Sequence, residues 1–553
     1  MTRKRTLGNL AAIGGLAAGF ALLTDFSAAR ADELADLRAN QQLLQQRIDQ
    51  LAQAQAQGGP PSTFAAPGTT GAAAYGTAAV PGAGMVGGSF PRSFLIPGTD
   101  TSIRVGGFAD ETIDYYLQNG PPNGTQNTTV GNTGNLNGMP LFTGGKTVPG
   151  YPSPGNLVPV QTNSSRGNGV FLESPRESRL NVETRTPTAY GEARTFIEFD
   201  FAGTNAFSGS GSGGQTSVSD SLVPRLRYAY GTLGGFLAGQ ANSNFSDPDA
   251  NPETLDFGGP AGEAGLVRVP QVRYTYAGPY GSALSVSAET PETDVITPAG
   301  KVTSDGNNQT IASGSLVPNS LATVGSLPCV ANGVAITGTT ACTLSSNITK
   351  ASAPDVTFAS YWSQPWGHVD ARAVVRPTLT INDGKYVDQK FVGYGGGFSG
   401  DVKPNWFGYG KDDFQWQFSV GNGIGRYIND GTDAGLATNY LVTPASPAAA
   451  AGVLVKTIQE FGGTVGYQHF WLPNLRSTLA YGYAVYDVPA TLIGPVAGVN
   501  VNRQIQTLHV NLIWSPVAFI DTGVEYVWGQ RRAAAGDIYG QEQALIGKVR
   551  VKF

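Results

Sequence analysis

The chain holds few of the residue types that carry enzymatic chemistry. Its three histidines, His368, His469 and His509, stand far apart, each inside an alternating apolar stretch. Its two cysteines, Cys329 and Cys342, have no histidine nearby. No nucleophile, base and acid fall at spacings from which a catalytic set can be assembled. The stretch "GNGIGRY" at 421–427 is glycine-rich but lacks the strand-to-helix setting of a phosphate loop. No enzymatic step, cofactor or metal is expected. What the chain does carry is patterned charge. Asp247, Asp249, Glu253 and Asp256 cluster in "NSNFSDPDANPETLDFGGP", while Arg104, Arg179, Arg185, Arg194, Arg225, Arg227 and Arg273 stand among apolar residues. The acidic cluster lacks the regular ligand spacing of a calcium loop. Charges arranged this way act on ions and charged solutes through their field.

These charges sit on a period of two, the period of a β-strand. In "EARTFIEFDF", Glu192, Arg194, Glu198 and Asp200 take one face against Ala193, Thr195, Ile197, Phe199 and Phe201. In "RLNVETRT", Arg179, Asn181, Glu183 and Arg185 oppose Leu180, Val182 and Thr184. "RLRYAY" sets Arg225 and Arg227 against Leu226, Tyr228 and Tyr230, and "QVRYTY" sets Gln271 and Arg273 against Val272, Tyr274 and Tyr276. "DFQWQFSV", "TLHVNLIW" and "FIDTGVEYVW" continue the pattern. The chain ends on "KVRVKF", with Lys548, Arg550 and Lys552 on one face and Val549, Val551 and Phe553 on the other. Upstream, Leu545 and Gly547 extend the apolar face, Gln543 is assigned to the polar face and Ile546 breaks the pattern.

A soluble sheet buries its apolar face and leaves scattered polar groups outside. Here tyrosine, tryptophan and phenylalanine gather near strand ends on the apolar faces, and charge recurs opposite them. Aromatic girdles around an apolar band with a polar interior describe a transmembrane barrel, which must close because an open edge in lipid leaves backbone groups unpaired. Composition agrees: 75 glycines in 553 residues and only 14% charged residues fit strands and turns better than packed helices. No apolar run after residue 23 approaches the roughly 20 residues of a spanning helix. The expected fold is all-β, an antiparallel barrel of about 16 strands occupying 89–553. Glu111 falls on the lipid side of the first strand, which predicts a bulge or an early strand end there.

Ahead of the barrel the sequence changes character. "MTRKR", an apolar core and Ala29-Arg30-Ala31 read as a signal peptide over 1–31. Its removal moves the formal net charge from −5 to −8, a sign that argues against nucleic acid as a partner. Residues 32–57 carry Leu34, Leu37, Gln41, Leu44, Ile48 and Leu51 at alternating steps of three and four, a heptad seam expected to form a self-associating periplasmic coiled-coil helix. Residues 58–88 form a Gly/Pro/Ala-rich linker. The longest loop, about 291–354, holds Cys329 and Cys342, whose spacing in an exported chain favours a disulfide.

The phrases "SFLIPGTDTSIRVGGF", "ESRLNVETRTPT", "GEARTFIEFDF", "RLRYAYG", "FLAGQANSNFSDPDANPETLDFGGPAG" and "RVPQVRYTY", in this order, resemble the DcaP-like porins of Gram-negative bacteria. The similarity is densest over about 89–280. The resemblance implies a homotrimer of 16-stranded barrels in outer-membrane lipid, an amino-terminal periplasmic coiled coil, and diffusion of small solutes, often anionic organic acids such as dicarboxylates. It also implies that the acidic segment folds into the lumen, where Asp247, Asp249, Glu253 and Asp256 would face Arg194, Arg225, Arg227 and Arg273. The terminal aromatic with Val549 and Val551 resembles the signal read by the barrel-assembly machinery. A blander reading pairs these arginines and acids merely to satisfy a polar interior. A second function, a surface adhesin or envelope-linking barrel, requires a plugged lumen.

Overall fold

The computed structural model describes residues 87–118, 168–203, 223–262, 264, 267–297, 300–304, 310–311, 329–331, 334–336, 349–382, 388–404, 411–428, 434–439, 453–493, 501–534 and 539–553. The signal peptide, the heptad seam, nearly all of the linker and Cys342 lie outside these residues.

Sixteen antiparallel strands make the barrel. They are β1 (Ser102–Gln118), β2 (Arg179–Thr188), β3 (Gly191–Gly203), β4 (Val223–Leu233), β5 (Phe236–Asn242), β6 (Arg268–Ala277), β7 (Ser282–Glu289) and β8 (Asp355–Gln364). They continue as β9 (Gly367–Asn382), β10 (Asp388–Val402), β11 (Asp413–Asn422), β12 (Gln459–Leu472), β13 (Leu475–Tyr486), β14 (Asn502–Val517), β15 (Ile520–Ala533) and β16 (Tyr539–Lys552). Each pairs with its sequence neighbour, and β16 returns to β1 in register from Phe108↔Lys552 to Gln118↔Gln543. No edge remains between the first and last strands, as lipid requires. Tight turns such as 189–190, 234–235 and 473–474 join the strands at one end and longer segments join most of them at the other. By that asymmetry the tight-turn end is periplasmic.

The two faces sort as alternation requires. Val105, Phe199, Phe398, Leu479, Val510 and Val524 point outward and are exposed, whereas Glu183, Asp200, Arg372 and Glu525 point inward and are buried. Trp362, Trp366, Trp471, Trp514 and Phe519 ring the outside near the tight turns, the height at which amphipathic rings favour the interface.

Three local expectations are overturned. β1 neither bulges nor stops at Glu111: it runs on to Gln118 with Glu111 outward. The interruption lies in its neighbour, where Val170–Ser174 and β2 pair with separate parts of β1, and Ser178 hydroxyl meets the Asp110 backbone in the gap. In β4 a bulge at Arg227 shifts the register, so that Leu226 pairs with Phe199 but Tyr228 pairs with Glu198 and Tyr230 with Phe196. Tyr228 and Tyr230 therefore share the lumen face with the arginines. In β16, Gln543 is not on the polar face: strict parity puts it outward beside Tyr526 and Gln118, while Ile546 breaks the pattern as expected, an apolar residue inward and buried.

The long segments are themselves structured. Strands 295–297, 300–304, 310–311, 436–438 and 455–457 make a small second sheet. Around it, Ile296, Ile424, Tyr427, Ile428, Ala437, Ile458 and Val488 form a buried apolar cluster that includes Phe245. The stretch 421–427 ends in a 3₁₀ turn, Gly425–Tyr427, packed into this cluster.

Candidate functional site

The segment between β5 and β6 leaves the wall and crosses the lumen. Among its described residues the proline-rich sequence yields one turn of 3₁₀ helix, Pro248–Ala250, begun by the Asp247 side chain accepting from the Asp249 amide at 3.2 Å. The first attachment is to Glu289 of β7, which accepts from Ser243 hydroxyl at 2.8 Å and Asn244 amide at 2.8 Å. Phe245 then enters the apolar cluster against Tyr427.

Asp247 reaches the far wall. One carboxylate oxygen accepts from His368 Nε2 of β9 at 2.9 Å and Ser399 hydroxyl of β10 at 2.6 Å. The other imidazole nitrogen, Nδ1, meets Asp401. Burial pushes the Asp247 carboxyl up, but the hydrogen bonds from His368 and Ser399 outweigh it and hold the group below its ordinary value. Asp249 accepts from Tyr361 hydroxyl at 3.5 Å. Glu253 binds Arg476 of β13 with both oxygens, Nε donating at 2.6 Å, and accepts from Gln468 at 2.6 Å. The backbone amides of Leu255 and Asp256 donate to Glu525 of β15 at 2.6 and 3.3 Å, and Asp256 side chain turns back to Gly258 amide at 3.0 Å.

Close docking depends on what the wall lacks. A Cβ on Gly482 of β13 would lie 2.3 Å from Ala261 carbonyl oxygen, and one on Gly466 of β12 would lie 2.6 Å from Pro252. Only glycine lets the loop backbone lie flat there. Where the loop brings an apolar side chain the wall is apolar too: Leu255 packs on Ile513, Val527 and Ile546, which explains why Ile546 breaks the polar pattern of β16.

The arginines gather on β1–β4. Glu183 of β2, fully buried, receives Arg104 Nη2 at 2.5 Å, Arg185 Nε at 2.9 Å and Arg194 Nε at 2.8 Å. Asp200 of β3 holds Arg225 at 2.6 Å and Arg227 at 2.8 Å, and Glu198 holds Arg227 at 2.9 Å and Arg179 at 3.7 Å. Arg273 makes no ion pair among the described residues. The sequence expectation set the loop's carboxylates against these arginines; Asp247, Asp249 and Glu253 meet His368, Ser399, Tyr361 and Arg476 instead. Wall acids one strand away reach Arg194, Arg225 and Arg227 first, and the loop meets Arg225 and Arg227 through the ring of Phe257, at 5.5 and 5.7 Å. The closing strand is offset in the same local way: Lys548 pairs with Glu177, Arg550 with Asp110 and Lys552 with Asp521. Phe553 amide donates to Gly107 carbonyl at 3.0 Å.

Sequence reasoning missed His368, Arg476, Glu289 and Glu525 as loop anchors. The one signal it held was that each is a polar inward position in a strand. His509 also faces inward, onto Glu525 at 2.9 Å, while His469 lies against Trp471.

A closed barrel with a charged interior and a loop laid across it defines the class of membrane diffusion channels. A family model described as the Porin subfamily matches residues 159–504, more than half of the chain, and the chain belongs to that family. It is a channel without a chemical step. The solved outer membrane channel DcaP of Acinetobacter baumannii is similar in fold, with a TM-score of 0.53 at 20% identity over 82% of this chain and 97% of that one. An anion-selective porin from Comamonas acidovorans gives 0.42 at 9% identity over 82% and 100% of the two chains. OmpF of Salmonella typhi in complex with daunomycin gives 0.42 at 7% over 82% and 98%. No curated protein sequence matches the chain.

Proposed function

We propose that the protein is a trimeric outer-membrane porin through which small hydrophilic solutes diffuse passively, with preference for anionic organic acids such as dicarboxylates. The observation that carries the anion preference is a patch of six guanidiniums on β1–β4 that gather around four carboxylates. Arg104, Arg179, Arg185, Arg194, Arg225 and Arg227 share the carboxylates of Glu183, Glu192, Glu198 and Asp200. Several of these guanidiniums keep about a third of their side-chain surface open, and fixed lumen charge sets ion preference in pores. The in-folded loop supplies the constriction, with Asp247, Asp249, Glu253 and Asp256 chiefly fixing its position.

The trimer is supported by Glu111 and Glu173, adjacent outward carboxylates on β1 and the strand beside it. Charge on the lipid face is costly, so this sector suits contact with a second copy. In the mature protein the heptad seam over 32–57 would lie in the periplasm after cleavage of the signal peptide, and Cys329 would pair with Cys342 in the long loop. Val549, Val551 and Phe553 serve as the signal for the barrel-assembly machinery. Deleting Phe553 should lower the yield of heat-modifiable, folded barrel, and an undiminished yield would count against that role.

The function is tested by single-channel conductance of the purified full-length protein in a planar bilayer, with reversal potential across a salt gradient. Conductance in steps of three with anion preference is expected, and neutralising Arg104, Arg185 and Arg194 to glutamine should move the reversal potential toward cations. Correctly inserted protein that never conducts would favour an adhesin or envelope-linking barrel instead.

A further inference from the structure

Three phenylalanines lie against the arginine wall, each beside two guanidiniums. Phe108 of β1 lies under Arg179 and Arg550 at 5.3 and 4.2 Å, and Phe257 of the in-folded loop under Arg225 and Arg227. The third, Phe90, belongs to neither the wall nor that loop. It lies under Arg104 at 5.5 Å and Arg185 at 4.5 Å.

Phe90 comes from the segment that precedes β1. Phe94 and Leu95 pair with Ile103 and Ser102, and Gly88 amide donates to Ser93 carbonyl at 2.9 Å, closing a turn. Ser93 hydroxyl donates to Phe90 carbonyl at 2.5 Å, and Ser89 amide donates to Ser102 hydroxyl at 2.9 Å. The turn therefore folds back inside the start of β1, beside the tight turn that joins β2 to β3. Phe90 is 7% exposed, although it lies ahead of the first barrel strand. A large apolar side chain does not enter a charged lumen unless the guanidinium faces receive it.

We propose that Phe90 is a second selectivity element, at the periplasmic end of the pore and separate from the in-folded loop. It rests on the porin reading above. The ring seats one face of each guanidinium while Glu183 holds an N–H edge of each. Arg185 Nη1 also reaches Glu192 at 3.4 Å, a carboxylate that is itself half exposed, and 27% and 31% of the Arg104 and Arg185 side chains remain open to solute. A guanidinium fixed on both sides loses little freedom when an anion arrives, and the ring itself narrows the water path beside it. Phe90 is thus a positioning residue: it acts on solute through Arg104 and Arg185.

The test compares full-length wild type with Phe90→Ala and Phe90→Leu in planar bilayers, reading conductance and reversal potential across a potassium chloride gradient, with heat-modified migration confirming folded barrels. Phe90→Ala should raise conductance and move the reversal potential toward zero, because the passage widens and the field between its walls is less focused. Phe90→Leu keeps much of the bulk without the aromatic face, so conductance should stay near wild type while the reversal potential still moves toward zero. The inference is overturned if folded Phe90→Ala matches wild type in both readings, or, should that variant not fold, if Phe90→Leu retains the wild-type reversal potential. Wild type that inserts without conducting overturns the porin reading as well; wild type that conducts beside unchanged variants overturns only the role of Phe90.

Discussion

Two sectors of the barrel wall carry charge at the same spacing and use it differently. On β1–β4, Glu183 is shared by Arg104, Arg185 and Arg194, and guanidinium edges stay open to the passage. On β9–β15, His368, Arg476 and Glu525 are each consumed by the in-folded loop. The first wall gathers its guanidiniums around shared carboxylates and leaves part of each open to water. The second spends its polar groups on holding a backbone in place. The difference teaches that a charged inward residue in such a barrel has no fixed role: its role follows from whether a loop reaches it before solute does.

Breaking the holding wall should have the largest effect. Glu525 is buried and accepts from Leu255 and Asp256 amides, His509 and Asn511. Glu525→Ala leaves all four donors without that acceptor, at a cost of about 3–5 kcal/mol. The loop should detach from β15, seen as larger, noisier single-channel steps and new protease cleavage near 255–262. Quiet wild-type steps would show that Glu525 does not hold the loop.

A smaller effect is expected from Gly482→Ala. The added methyl would meet the Ala261 backbone at 2.3 Å, and such overpacking costs about 1–3 kcal/mol. The same cleavage sites should open partially, with a lower melting temperature; the comparison loses its steric basis if the variant melts with wild type.

The smallest concerns Asp247. Its carboxyl is depressed in the docked loop, so its contribution to docking is present above the ordinary value of 3.8 and is lost as the pH falls through the lower, docked value. Current noise should rise on acidification below pH 3.8 and respond less in Asp247→Asn. Identical acid responses in the two proteins would assign the noise to another group.

Much of this molecule was legible in its sequence. The alternation in β3, β11 and β16 was enough to separate lipid face from lumen face, because a strand's side-chain period is fixed by its backbone. The loop at 243–262 was legible because prolines and short acidic residues cannot continue a ladder. Tyr228 and Tyr230 were misassigned because one extra residue at Arg227 inverts parity, and nothing in "RLRYAY" marks the bulge. Sequence alone does not match Asp247 and Glu253 to their partners because His368, Ser399 and Arg476 lie more than a hundred residues away.

The sequence by itself determined the barrel, its facing and the break in the ladder at 243–262, since these follow from local periodicity and backbone chemistry, whereas the in-folding of that segment was implied only by the family resemblance. Only the tertiary structure decided which charges remain available. Closure of β16 on β1 and the path of one loop across the lumen bring together residues that no local pattern relates, and an ion pair forms with whichever opposite charge the fold places within reach.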